Sequence, residues 1–172
     1  MANGFYKVNG ATERQDQIIK IGNKNWLLIY GFGKDDDDAE TGYNWRKNYD
    51  HEPTEAEVKA DIETLVNAQT DAKILTGFVW NGINVYLSSE NQYNFKAAYD
   101  LAVQLSGSIL PVTFKMGTDA DGNAVYHTFE ALDEFTDFYT KAFAYINGCL
   151  VDGWTEKDGT SATALLNLDG DE

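Results

Sequence analysis

The sequence predicts an α+β protein in which an N-terminal β-hairpin and an arm precede an α-ββ-α-ββ-α domain with antiparallel strands. Two β-prone runs, at 74–80 and 83–87, are separated by Asn81-Gly82, the preferred residue pair of a type I′ hairpin turn. Three longer stretches carry apolar residues at helical spacing. Because pairs of short strands alternate with single helices, we expect hairpins packed against helices rather than a parallel sheet.

The segment 1–34 predicts a β-hairpin of its own. Residues 17–21 (QIIKI) and 26–32 (WLLIYGF) are rich in β-branched and aromatic residues, and they flank the turn-forming run GNKN. Residues 5–8 are a further candidate for a short strand. A sheet this small is marginal in isolation, so we expect it to pack against the rest of the chain or against a partner.

The segment 35–53 predicts an acidic and aromatic arm or linker. Its residues 35–38 are four consecutive aspartates, whose mutual repulsion favours an exposed loop. Tyr43, Trp45 and Tyr49 argue against a fully solvated linker. In one interpretation these aromatic residues pack on their own domain, and in another they bind a neighbouring subunit. A metal ion bound by the aspartate run is a third interpretation, although no metal ligand is assigned.

The segment 54–158 predicts the α+β domain itself. Thr54 and Glu57 form a capping-box pattern ahead of the first helix, and Ser89 and Gln92 form another ahead of the second. The predicted elements are a helix from 54 to about 70, the hairpin 74–87, a helix over 89–105, strands over 109–116 and 125–129, and a helix over 131–154; residues 159–172 are expected to form a flexible acidic tail.

The last predicted helix has a long apolar stripe that includes Phe138, Phe143 and Cys149, and we expect this stripe to be buried. Cys149 is the only cysteine, so no intrachain disulfide can form, and an unpaired thiol is typical of a reducing compartment. Its place on the apolar stripe predicts a small buried side chain rather than a nucleophile.

Composition excludes several classes of partner. The 172 residues carry 28 acidic and 13 basic side chains, a formal net charge of −15. Binding to nucleic acid or to an anionic membrane surface requires clustered Lys and Arg on the protein, so neither is an expected partner. Apolar residues make up 43% and aromatic residues 13%, a composition that favours a folded chain. No secretory signal and no apolar run of ~20 residues is visible, which predicts a soluble protein.

No catalytic constellation is visible in the sequence. His51 has no second histidine at zinc-ligand spacing, and His127 lies on a predicted strand, where a surface role is the default. The acidic run 119–123 fails the EF-hand pattern, because Gly117 and Thr128 occupy what would be its first and twelfth positions. We therefore predict a protein that is not an enzyme, with no catalytic, cofactor-binding or metal-ligating residues.

Four runs of the chain together resemble a known domain family. They are ILTGFVWNGINVYLSSENQYNFKAAYDLAVQ (74–104), LPVTFKMG (110–117), VYHTF (125–129) and FTDFYTKAFAYINGCLVDGWTEKD (135–158). In this order they resemble a phage- and prophage-associated domain of undefined function that occurs on tail-fibre and other virion-appendage proteins. The features shared with the family are Gly77, Trp80, Gly82, Gln92 and Asn94.

The resemblance implies a virion structural or assembly role and brings no catalytic residues. It implies other phage structural proteins as partners and a location in the virion or the bacterial host cytoplasm. The aromatic arm, in its subunit-binding interpretation, additionally predicts a homo-oligomer. The leading hypothesis is therefore a non-enzymatic interaction or adaptor module of a virion appendage. A tail assembly chaperone that leaves before the virion matures is the first alternative. A protein that acts on or binds glycans is the second.

Overall fold

The structure, a computed structural model, describes residues 4–167. Its helices and antiparallel strands confirm the α+β class. The strands are β1 Tyr6–Ala11, β2 Gln17–Lys20, β3 Trp26–Gly33, β4 Gly42–Tyr49, β5 Phe78–Trp80, β6 Ile83–Val85, β7 Val112–Thr118 and β8 Ala124–Phe129, and the helices are α1 Glu55–Thr76, α2 Ser89–Gln104, α3 Leu132–Gly159 and α4 Ala162–Asn167.

The chain forms two compact units whose boundaries differ from the predicted ones. Unit 1 contains the residues up to Ala68 and those from Thr155 onward, and unit 2 is Gln69–Trp154. The divisions fall inside α1 and α3, so the predicted domain 54–158 does not coincide with either unit. A helical period continues through such a division unchanged, and the sequence pattern therefore gives no sign of it.

Unit 1 is built on a four-stranded antiparallel sheet in the order β1-β4-β3-β2. The predicted pairing of β2 with β3 is confirmed. One face of the sheet contributes Leu28 and Tyr30 to a core that the first turns of α1 complete with Ile62 and Leu65. The remaining buried members of this core are Phe5, Ile18, Tyr49, Val58, Val66, Ala162 and Leu165.

The prediction of an arm over 35–53 is wrong for the middle of that segment. Residues 42–49 form β4, an inner strand that pairs with β1 on one side and β3 on the other. Trp45, for example, lies opposite both Lys7 and Tyr30. The aspartate-rich turn between β3 and β4 lies outside regular strands, as do residues 50–53, and the exposure of the turn fits the repulsion among its carboxylates.

The predicted flexible tail, 159–172, is also wrong in its first part. α3 extends to Gly159, and α4 follows at once. Ala162 and Leu165 are 8% and 7% exposed, and both pack into the core of unit 1. The apolar residues of α4 therefore pack this part of the chain onto unit 1. Residues 168–172 of the predicted tail lie outside the described residues.

Unit 2 contains the hairpins β5–β6 and β7–β8, both antiparallel as predicted. Asn81 and Gly82 have φ of 49° and 79°, the left-handed conformations that a type I′ turn requires. The inner faces of the hairpins meet α2 and α3 around an aromatic core. Its buried members are Phe78, Trp80, Val85, Leu87, Phe95, Ala102, Met116, Phe129, Phe135, Phe138 and Ala142.

The apolar stripe of α3 is only partly buried. Phe138 is fully buried and Cys149 is 7% exposed, as the sequence predicts. The prediction for Phe143 is wrong, because its side chain is 64% exposed. Within residues 4–167, no helix combines the length and the apolar character that crossing a bilayer requires.

Candidate functional site

The three residues predicted to bind a partner lie on β4, at positions that share one face of the strand. The rings of Tyr43 and Trp45 meet edge to face, 5.9 Å between centroids, and Lys7 Nζ lies 3.6 Å above the Tyr43 ring. Trp45 packs against the core of unit 1, and Tyr49 is 8% exposed. The structure thus places all three aromatic residues against their own unit.

Tyr49 also borders a cavity of about 770 Å³ in unit 1, which sequence reasoning missed. The cavity lies between the end of β4 and the first turns of α1. Its polar lining combines carboxylates, a lysine, a histidine and two amides. The residues that line it are Ile21, Asn25, Lys47, Asn48, Tyr49, Asp50, His51, Glu57, Ala60 and Asp61.

The inner wall of this cavity is a closed hydrogen-bonded cluster. Lys47 Nζ lies 2.5 Å from Asp61 Oδ1, and the Tyr49 hydroxyl donates to Asp61 Oδ2 at 2.7 Å. Burial, and then the bond to Asp61, raise the pKa of Tyr49 well above its ordinary value. Both carboxylate oxygens of Asp61 are therefore engaged with neutral or cationic donors, and the cluster joins α1 to β4.

The outer wall centres on His51, whose two ring nitrogens both face carboxylates. Nδ1 lies 2.8 Å from Asp50 Oδ1, and Nε2 lies 3.1 Å from Glu57 Oε1. The hydrogen bonds to Asp50 and then to Glu57 raise the pKa of His51. Glu57 in turn accepts from the backbone N–H and hydroxyl of Thr54, which with His51 lower its pKa to about 2. His51 thus bridges two carboxylates at the start of α1.

These acidic and imidazole groups do not form a metal centre. Across residues 4–167, the structure places no three His, Cys, Asp or Glu side chains so that they could hold a metal ion. His127 of β8 contacts Glu134 at 3.0 Å and lies edge to face with Trp80, 5.0 Å between centroids. Cys149 is buried on α3. The residues considered for catalysis thus have packing partners within their own units.

A second candidate surface is an exposed apolar face on the part of α3 that belongs to unit 2. Phe143 is 64% exposed, Val151 44% and Trp154 51%. At 100° per residue, Phe143 and Trp154 lie within ~20° of one another around the helix, and Val151 lies within ~80° of Phe143. We call this surface the α3 face; between its large side chains it also includes Ala144, Asn147 and Gly148.

Comparison with known proteins adds no further constraint on the site. No family model matches the chain. No curated protein and no solved structure matches it either. The candidate functional sites are therefore the cavity of unit 1 and the surfaces of unit 2.

Proposed function

We propose that this chain is a non-enzymatic interaction module of a phage or prophage virion appendage, and that it associates with a second copy of itself through the α3 face. The observation that supports this most directly is the exposure of Phe143, Val151 and Trp154 on one side of a single helix. Large apolar side chains clustered at the surface are typical of protein–protein contact sites. Other phage structural proteins are the further partners that the sequence resemblance implies.

The composition of the α3 face supports a helix as its occupant. Ala144 and Gly148 are small and one turn apart, so a second helix can approach closely between the larger residues. Apart from its chain neighbours and the nearby backbone of its own helix, no heavy atom of the described residues lies within 4 Å of where a Cβ of Gly148 would be. The face carries no charged residue, and this suits self-association of a chain whose net charge is −15.

The spacing of the large residues suits a two-fold axis. Phe143 and Trp154 are 11 residues apart, which corresponds to ~16 Å along a helix. If two copies pack antiparallel around the middle of this stretch, Phe143 of each copy meets Trp154 of the other. Such a contact buries the same surface on both copies, as two-fold symmetric dimers do.

The engagement of Asp61 by Lys47 and Tyr49 supports a non-enzymatic role for the unit 1 cavity. A general base requires a carboxylate that is free to accept a proton from a substrate. Asp61 instead accepts from two side chains of its own unit. We assign the cluster to holding α1 against the sheet.

Sedimentation velocity tests the self-association. We expect the wild-type protein to form a dimer and the variants Phe143→Asp and Trp154→Asp to be monomers. Tyr93→Asp is the matched control, because Tyr93 is 72% exposed on α2 outside the α3 face and should leave the dimer intact. A monomeric wild type, or a Tyr93→Asp variant that dissociates equally, would exclude the α3 face as the interface.

Mass spectrometry of purified virions tests the structural role. A virion component is present in the particle at a fixed stoichiometry. The alternative, an assembly chaperone, is synthesised in infected cells but is missing from mature particles. Absence from particles combined with association with tail proteins in lysates would replace our proposal with the chaperone.

A further inference from the structure

A cavity of about 380 Å³ opens on unit 2 where β6 leads into α2. Its lining mixes one aromatic ring with a carboxylate, an ammonium group, an amide and hydroxyl groups. The cavity is separate from the α3 face and from the aromatic core. The residues that line it are Tyr86, Ser88, Glu90, Asn91, Lys115, Gly117 and Thr118.

Backbone contacts fix the shape of this cavity. The Tyr86 N–H donates to the Met116 carbonyl at 2.7 Å, which sets the hairpins β5–β6 and β7–β8 side by side. Asn91 Nδ2 donates to the Tyr86 carbonyl at 2.8 Å, and Ser88 caps α2 by accepting from the Asn91 N–H. A Cβ on Gly117 would lie 2.5 Å from the Asn84 carbonyl oxygen, so glycine is required where the two hairpins approach.

Four polar groups around the cavity, apart from those of Ser88 and Asn91, have no hydrogen-bond partner among the described residues. Tyr86 is 45% exposed. Over residues 4–167, no hydrogen bond or ion pair engages the Lys115 ammonium, the Glu90 carboxylate, the Thr118 hydroxyl or the Tyr86 hydroxyl. One positive and one negative side chain balance, in a protein whose overall charge is −15. A ligand without net charge suits this lining best.

We infer that this cavity binds a neutral oligosaccharide. The apolar C–H face of a sugar ring packs on an exposed tyrosine ring, which offers an apolar surface with a polar edge. Sugar hydroxyls both donate and accept, so they match a carboxylate, an ammonium group and an amide oxygen together. A phosphate-bearing ligand would instead require several cations, and Lys115 is the only basic residue in the lining.

The sheet beside the cavity extends the same chemistry. Tyr126 is 64% exposed and lies directly opposite Lys115 across β7 and β8. Thr113 and Thr128 continue this outer face, with their hydroxyls 2.8 Å apart. Tyr86 follows β6 along one edge of β7, and Tyr126 lies on β8 along the other edge. The two tyrosines are therefore about two strand spacings apart, ~10 Å. Two rings of one oligosaccharide could therefore each pack on a tyrosine.

This inference goes beyond the proposed self-association, because it concerns a different surface and a different class of partner. The cavity beside Tyr86, called the Tyr86 cavity below, can bind a glycan whether the protein is a monomer or a dimer. Binding of a sugar and dissociation at the α3 face can also be measured in separate experiments. Failure of one proposal therefore leaves the other unaffected.

Titration of the full chain with defined sugars tests the inference. The probes are cellohexaose, maltohexaose, mannohexaose and the acidic polymer polygalacturonate, with binding followed by amide chemical shifts in NMR spectra. We expect at least one neutral hexasaccharide to shift the amides of Tyr86, Lys115 and Thr118. Absence of binding by all three neutral probes, or binding of polygalacturonate alone, would overturn the inference.

Variants locate the binding on the cavity. Tyr86→Ala should weaken binding of the responsive hexasaccharide at least about tenfold, the factor that corresponds to ~1.4 kcal/mol. Lys115→Met should also weaken binding of the same hexasaccharide. Because this variant keeps Tyr86, its effect does not depend on any contribution of the tyrosine to folding. Tyr93→Ala, which removes an equally large exposed ring from α2, should leave it unchanged. Equal affinities of Tyr86→Ala, Lys115→Met and wild type would exclude this cavity.

Discussion

Asp61 can be buried between α1 and β4 because Lys47 and Tyr49 satisfy its two oxygens. The side chains of Asp61 and Lys47 are only 10% and 17% exposed. Removal of one partner from a buried pair leaves the other charge without compensation. We predict that Asp61→Ala lowers the free energy of unfolding by about 3 kcal/mol, measured by urea denaturation.

Two companion variants separate the parts of this effect. Tyr49→Phe removes only a hydrogen bond to a charged group and should cost about 2 kcal/mol. Asp50→Ala removes a carboxylate of the same cavity whose side chain is 95% exposed, and it should lower the urea midpoint only slightly, because an exposed pair with His51 contributes little. If Asp50→Ala and Asp61→Ala proved equally destabilising, the cluster would not be the source of the stability.

Phe138 and Phe143 differ in burial although they lie on the same helix. Phe138 is fully buried in the aromatic core, where its ring centroid is 5.0 Å from that of Phe95. Phe138→Ala should therefore cost about 3–5 kcal/mol in thermal or urea unfolding. Phe143→Ala should change monomer stability by less than about 0.5 kcal/mol, since its ring is mainly in solvent. A large loss of monomer stability in Phe143→Ala would contradict its exposure.

At the scale of an element, the N-terminus of α1 should respond to pH at two points. The pKa of His51 is raised above its ordinary 6.5, so its stabilising effect is complete below about 6.5 and is lost as pH rises through the raised value. The pKa of Glu57 is lowered to about 2 from 4.5, so its effect is present above about 4.5 and is lost as pH falls towards 2.

Because the His51 contribution is lost as pH rises and the Glu57 contribution is lost as pH falls, both stabilise the protein most over an intermediate range of pH. The melting temperature of wild type should exceed that of His51→Gln most clearly between about pH 4.5 and 6.5, and the difference should vanish at alkaline pH. Glu57→Gln should reduce the loss of stability in acid. A difference between wild type and His51→Gln that grew with rising pH would contradict the cationic imidazole.

Elements whose signal is local could be predicted from the sequence. The Thr54–Glu57 capping box is confirmed by its hydrogen bonds, including Glu57 N–H to Thr54 Oγ1 at 3.3 Å. The Asn81-Gly82 turn is confirmed by its dihedral angles. β4 was missed because its polar residues resemble a loop, and it becomes a strand by pairing on both edges. Such tertiary pairing overrides local propensity.

The cavities and the α3 face could not be predicted from the sequence, because they also depend on contacts between residues that are distant in the chain. Lys47 and Asp61 are 14 residues apart on a strand and a helix, and only the packing of α1 on the sheet brings them together. Helical spacing places Phe138 and Phe143 near one broad apolar stripe without telling which side of it meets the core. The Tyr86 cavity requires two hairpins side by side, a contact that no sequence period encodes.

For the whole molecule, the net charge of −15 opposes every self-association. The uncharged α3 face supplies no ion pairs to offset this repulsion, so dimerisation must rely on apolar burial. Salt should then strengthen the dimer, because raising ionic strength from ~0.01 M to ~0.15 M shortens the Debye length from ~30 to ~8 Å. We predict a lower dimer dissociation constant at the higher ionic strength.

Sedimentation velocity at a series of NaCl concentrations measures this dependence. Trp154→Asp places an additional negative charge on each copy within the face, and it should remain monomeric across the same series. Tyr93→Asp adds the same charge outside the face and should follow the wild-type trend with a small upward offset in the dissociation constant. If salt instead dissociated the wild-type dimer, ion pairs rather than the apolar α3 face would hold the two copies together.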